Sequence, residues 1–148
     1  MNNNQNSWAI YIRSATGNAE SLQEQKDICE KFLQNMSQKP TSITVYEDEK
    51  ANGNNIERPG IQRLIQDIKD GKIDRVIVSS FHRLSRSLAV FQSINEEIFE
   101  QYNASLVSTT ESFDSSTLTG KFALKMLQIF TRWETRAHHN TKLCLKEG

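Results

Sequence analysis

A chain of 148 residues and 17.0 kDa is long enough to bury its own core and short for two domains. With 36% hydrophobic and 24% charged residues its composition is that of an ordinary globular protein, and no apolar run nears the roughly 20 residues a membrane helix needs. Lys+Arg and Asp+Glu both total 18, so the basic footprint of a strong nucleic-acid binder is missing, and Cys29 and Cys144 alone make no disulfide framework. The Asn-rich start, residues 1–6, lacks the basic and apolar regions of a secretory signal; it is expected to lie outside the folded part, and the chain to be cytoplasmic.

Trp8 to Ile12 is a short β-prone run that predicts a first strand, ended by Arg13 and the turn-like Thr16-Gly17-Asn18. From Ala19 to about Met36, Leu22, Ile28, Cys29, Phe32, Leu33 and Met36 fall largely on one helical face. Lys39-Pro40 breaks that helix, and Ser42 to Tyr46 reads as a second strand ending at Glu47-Asp48. Glu49 to Glu57 carries no apolar period and predicts a mobile surface loop. Pro59 suits a first helical turn, Ile61, Leu64, Ile65 and Ile68 form an i, i+3, i+4, i+7 stripe, and Gly71 supplies a stop. Asp74 to Ser80 predicts a buried strand, Ser87 to Tyr102 a helix and Ala104 to Ser108 a shorter strand. A Ser/Thr-rich loop then leads to Gly120 and a long terminal helix expected over 118–145.

This alternation of strands and helices predicts an α/β fold: a mainly parallel sheet of four to five strands flanked by helices, forming one domain over 1–148. Ligands of such sheets collect beyond the carboxyl ends of the strands, here the segments that start at Arg13, Asp48 and Phe81. The last helix carries Phe122, Leu124, Met126, Leu127, Ile129, Phe130 and Trp133 around most of its girth, more apolar surface than one neighbour covers, which predicts a subunit interface.

No metal site, cofactor or phosphate loop declares itself: there is no GxxxxGK(S/T), GxGxxG or HExxH, and the adjacent His138 and His139 diverge on a helix. Arginine is what gathers at the predicted strand ends. Arg13 follows the first strand, Arg58 the loop, and Arg83 with Arg86 the third strand; the last two share a face if the helix has begun by then. Planar guanidiniums match the oxygens of a phosphate, so a cluster at a ligand crevice points to phosphate binding or phosphoryl transfer without a metal. The plainer reading pairs each with a surface carboxylate such as Asp48, Glu57 or Asp114.

Ala9 to Arg13, Ser21-Leu22 with Gln25, Tyr46 to Glu49, Arg58-Pro59-Gly60 and Arg83-Leu84-Ser85-Arg86 resemble, in this order, the amino-terminal catalytic domain of the serine recombinases, the resolvase and invertase family. The resemblance covers nearly the whole chain. It implies a parallel sheet, a final helix that mediates dimers and tetramers, and a reaction without metal in which a serine attacks a DNA phosphodiester, leaving a 5′-phosphoserine link and a free 3′-hydroxyl. It assigns Arg13, Arg58, Arg83 and Arg86 to the scissile phosphate, with Tyr11, Gln25 and Asp48 as supporting groups.

Where the family's first motif ends in the nucleophilic serine, this chain has Ala15. Ser14 is the neighbouring hydroxyl, but along an extended strand it points away from Tyr11, Arg13 and Ala15; it becomes a shifted nucleophile only if the strand has already ended. Asn52 stands where a loop serine is expected, and His82 where an acidic residue precedes Arg83. The sequence therefore carries three alternatives: a recombinase or integrase catalytic domain, a catalytically silent relative that assembles with active partners or binds DNA, and an unrelated phosphate-binding α/β domain. With zero net charge and no recognisable DNA-reading module, DNA binding by this chain alone is expected to be weak.

Overall fold

The computed structural model describes residues 6–49 and 58–130. The loop containing Asn52 and Glu57, the terminal segment with Trp133, His138, His139 and Cys144, and residues 1–5 lie outside the described residues.

Five strands form one sheet in the order β2-β1-β3-β4-β5. They are β1 Ser7–Ser14, β2 Ser42–Glu49, β3 Arg75–Val78, β4 Ser105–Ser108 and β5 Phe113–Asp114. The first four run parallel, while β5 returns antiparallel to β4. The mainly parallel α/β sheet read from the alternating pattern is present. Both β1 and β2 extend past their apolar runs, β1 through Arg13 and Ser14 and β2 through Asp48 and Glu49.

Alternation along β1 feeds two cores. Trp8, Ile10 and Ile12 join Ile77 and Val107 beneath α1, Ala19–Gln34, through Leu22, Cys29 and Leu33. Ala9 and Tyr11 join Val76, Val78 and Leu106 on the opposite face, covered by α2, Pro59–Lys69, with its buried Ile61, Leu64, Ile65 and Ile68. Ile28 of α1 is exposed, so the buried stripe of this helix is narrower than its apolar residues imply.

The helix predicted over 87–102 is preceded by a separate short helix and is itself built in two parts. A four-residue α3, Phe81–Leu84, ends where Ser85 turns extended, and α4, Leu88–Ile94, starts with the Ser87 hydroxyl accepting from the Val90 amide at 3.3 Å. From Asn95 to Glu100 the coil widens into a π-type turn that buries Asn95, Ile98 and Phe99. Arg83 and Arg86 thus do not share a helical face; the extended Ser85 lies between them.

The last helix, α5, is helical from 118 to the end of the described residues at 130. Leu124 is buried and Leu127 packs against the core, whereas Phe122, Met126, Ile129 and Phe130 are 49–65% exposed. Gly120 sits where the chain passes the Asp114 carbonyl; a Cβ there would overlap that oxygen.

Candidate functional site

The carboxyl end of β1 outruns its neighbour β3, whose register with β1 stops at Ile10 and Ile77, so the backbone of Arg13 has no strand on that side. Gln25 of α1 fills the gap. Its Oε1 accepts from the Arg13 amide at 3.1 Å and its Nε2 donates to the Arg13 carbonyl at 2.9 Å, so one carboxamide satisfies both backbone groups. On the other side Arg13 lies in register with Asp48 of β2.

The Arg13 side chain is 1% exposed, and carbonyl oxygens answer its charge. Nε donates to the Arg83 carbonyl at 3.0 Å and Nη2 to the His82 carbonyl at 2.6 Å. Arg83 returns the contact, Nη1 donating to the Arg13 carbonyl at 3.3 Å and Nη2 reaching the Ser21 hydroxyl at 3.5 Å. Burial, then the positive charge of Arg58, with smaller contributions from Arg86 and Arg83, pushes the Arg13 pKa down, against the opposing influence of Tyr11. A guanidinium still keeps its proton under such pressure, so the cost is stored as repulsion that a bound anion would relieve.

Beside this pair stands a buried polar knot. Asp48 accepts from the Tyr11 hydroxyl at 2.6 Å and from the amides of Gly60 and Ile61 at 2.6 and 2.9 Å, capping the amino end of α2 from a neighbouring strand. Arg58 donates to the Tyr11 hydroxyl at 2.8 Å and to the Leu84 carbonyl at 2.7 Å, with its guanidinium 5.6 Å from the centre of the Tyr11 ring. Burial first, and the bond to Asp48 second, raise the Tyr11 pKa well above the tyrosine range, which keeps the hydroxyl a donor. Gly60 is required by closeness: a Cβ would lie 2.6 Å from the Glu47 carbonyl oxygen and 2.9 Å from Asp48 Cγ.

Arg13, Ser80, His82, Arg83 and Arg86 line a cleft of about 470 Å³. Three of these five described residues are arginines and none is a carboxylate, so the cleft is positively charged. His82 and Arg86 are exposed, and Arg83 is partly so. Arg58 does not line the cleft; at 2% exposure it is turned inward on Tyr11 and Leu84. The sequence-derived set is thus split into a cleft trio and a buried knot of Arg58, Tyr11 and Asp48 behind it.

Ser14 is 3% exposed. Its Oγ accepts from the Asn18 amide at 3.1 Å and lies 3.4 Å from the Thr16 hydroxyl, tying the turn into α1. Because β1 continues through Ser14, strand alternation holds there, and Ala15 is the first exposed residue beyond it. Sequence reasoning missed Ser80 and the turn that fixes its neighbours. The Thr109 and Thr110 hydroxyls donate to the Ser79 carbonyl at 3.0 and 2.5 Å, and the Phe81 amide donates to Glu111 Oε1 at 3.4 Å. The only signal for Ser80 is its place at the end of the predicted strand, one residue before the segment singled out at Phe81.

No helix among the described residues is long and apolar enough to cross a membrane. Parallel strands presenting clustered guanidiniums at their carboxyl ends define an α/β domain with a positively charged crevice beyond the central strands β1 and β3. The family model of the resolvase amino-terminal domain matches residues 8–143, and the chain belongs to this family, that of the serine recombinase catalytic domains. It is similar to the N-terminal catalytic domain of TP901-1 integrase, at 31% identity over 89% of this chain and 98% of that one, with a TM-score of 0.82. A resolvase family site-specific recombinase from Streptococcus pneumoniae shares the fold, with a TM-score of 0.76 over 95% of this chain and 97% of that one at 23% identity. Transposon Tn917 resolvase of Enterococcus faecalis is 27% identical over 99 residues, 64% of this chain but only 52% of that protein's length.

Proposed function

We propose that this chain is the catalytic domain of a site-specific serine recombinase or integrase that holds a DNA phosphate between Arg13, Arg83 and Arg86. The observation that carries this reading is the cleft itself, in which three guanidiniums converge with no carboxylate among the described lining residues. Arg13 and Arg83 are held by backbone carbonyls and by each other's segments, so they meet the charge growing on phosphorus without reorganising. Arg58, Tyr11 and Asp48 act from behind by fixing the ends of β1, β2 and α2; Gln25 positions Arg13. The family's phosphoserine step at the first motif lacks its nucleophile here, because Ala15 offers a methyl group. The exposed face of α5 supports assembly into dimers or tetramers, with the chain working in the cytoplasm on DNA.

The loss of that serine also favours a second reading, a silent relative that binds DNA and assembles with active partners. Both readings need the phosphate site. Binding of a short duplex to the full chain, followed by anisotropy across a salt series, tests it: Arg86→Ala is expected to weaken binding and reduce the slope of log affinity against log salt by about 0.9, the loss of one phosphate contact. An unchanged slope in both Arg86→Ala and Arg83→Ala would remove the cleft as the DNA site.

A further inference from the structure

We infer that Ser80 is the hydroxyl that attacks phosphorus in this chain, with His82 receiving its proton. The inference rests on the phosphodiester reading of the arginine cleft and replaces the silent alternative.

Hydroxyls around the cleft sort by what their oxygens already do. Ser14 is buried and accepts from the Asn18 amide at 3.1 Å. Ser21 receives Gln25 Nε2 at 3.3 Å and Arg83 Nη2 at 3.5 Å. Ser85 is buried and bonds both backbone groups of Ser87, at 2.9 and 3.1 Å. Thr16 is exposed but does not line the cleft. Ser80 lines it, is partly exposed, and its hydroxyl has no hydrogen-bond partner among the described residues although it stands at the capping position of α3.

The backbone around this hydroxyl is anchored. The Ser79 carbonyl takes the two threonine hydroxyls and the Thr110 amide at 2.9 Å, the Ser80 carbonyl takes the Arg83 amide at 3.1 Å, and the Phe81 amide is tied to Glu111. An uncommitted oxygen on a fixed backbone, in a cleft lined by guanidiniums and by His82, is the arrangement a nucleophile needs. In the step, Ser80 Oγ bonds to phosphorus as its proton passes to the His82 ring. The bond from phosphorus to the leaving oxygen breaks, that oxygen keeps the electron pair and takes a proton back, and the new phosphoserine diester keeps its single negative charge against the three arginines.

Bis(4-nitrophenyl) phosphate tests this without knowledge of a DNA site, since its leaving group departs as coloured phenolate. With the full chain the expected result is a stoichiometric burst of phenolate and a covalent 4-nitrophenylphosphoryl adduct that peptide mapping places on Ser80. Ser80→Ala should abolish burst and adduct while leaving probe binding intact; Thr16→Ala should keep both. His82→Gln should slow the burst about 100-fold, with the adduct still on Ser80. If the probe binds and Arg86→Ala weakens that binding, but the adduct is absent or sits elsewhere, Ser80 is not the nucleophile and the phosphate cleft stands. If no saturable binding is seen, the cleft reading fails and takes this proposal with it.

Discussion

Asp48 serves two partners with one carboxylate: it caps α2 and orients the Tyr11 hydroxyl that Arg58 also uses. Tyr11→Phe would leave a buried guanidinium donor and a buried carboxylate oxygen each short of a bond. The expected cost is about 1–3 kcal/mol, read as a lower urea midpoint with unchanged m. Gly60→Ala forces a methyl within 2.6 Å of the Glu47 carbonyl oxygen, so either β2 or the start of α2 must move. It is expected to destabilise by about 1–3 kcal/mol; a variant as stable as the parent in urea would show that the cap is not tight. At this scale the sequence announced which residues matter but not where they point. Arg13 and Arg58 look alike as letters after a strand and a loop, yet one lines the cleft and the other is turned behind it, donating to the Tyr11 hydroxyl and the Leu84 carbonyl.

Elements were legible where burial follows a period. The stripe Ile61, Leu64, Ile65, Ile68 marks α2 because each residue packs under the sheet. β1 runs past its apolar residues at both ends; at the carboxyl end Arg13 and Ser14 are polar yet buried, held by Gln25 and the turn at Asn18 rather than by apolar contact. The two-residue β5 and the widened turn after α4 leave no periodic trace. α5 offers a test at this level. Leu124→Ala should cost about 2–3 kcal/mol of folding stability, since Leu124 is buried in the core. Phe122→Glu, at a position 65% exposed, should leave stability within about 0.5 kcal/mol and shift self-association toward monomer in sedimentation. Unfolding of the Phe122→Glu domain would mean that this face packs inward.

Across the whole molecule, several acids are buried in their neutral form. Burial, with a small push from Glu30, raises the Cys29 thiol from its ordinary 9.0 to about 12. Burial and the bonds to Asp48 and Asp67 raise Tyr11 and Tyr46 above their ordinary 10.0. Each binds its proton more tightly when folded, so its contribution is complete below the unfolded value and is lost as pH climbs. Folding stability is therefore expected to decline from about pH 9 upward, with Cys29→Ala shallower in the first part of the fall. A urea midpoint flat from neutrality to pH 12 would contradict this. The overall order of strands and helices was readable because each βαβ unit must bury its sheet on both faces; the depth at which each arginine sits was not, because it depends on carbonyls that every residue carries.

β2 closes one side of the sheet and, among the described residues, pairs only with β1. Its outward Ile43 and Val45 are 45% and 39% exposed, and their alternation continues into Glu47 and Glu49. The first half of that border is a ready template for a foreign chain, while the second half repels one by charge. Crowded or partly unfolded preparations should therefore begin to aggregate at residues 42–46, and a lysine placed at Val45 would guard the border without touching the arginine cleft.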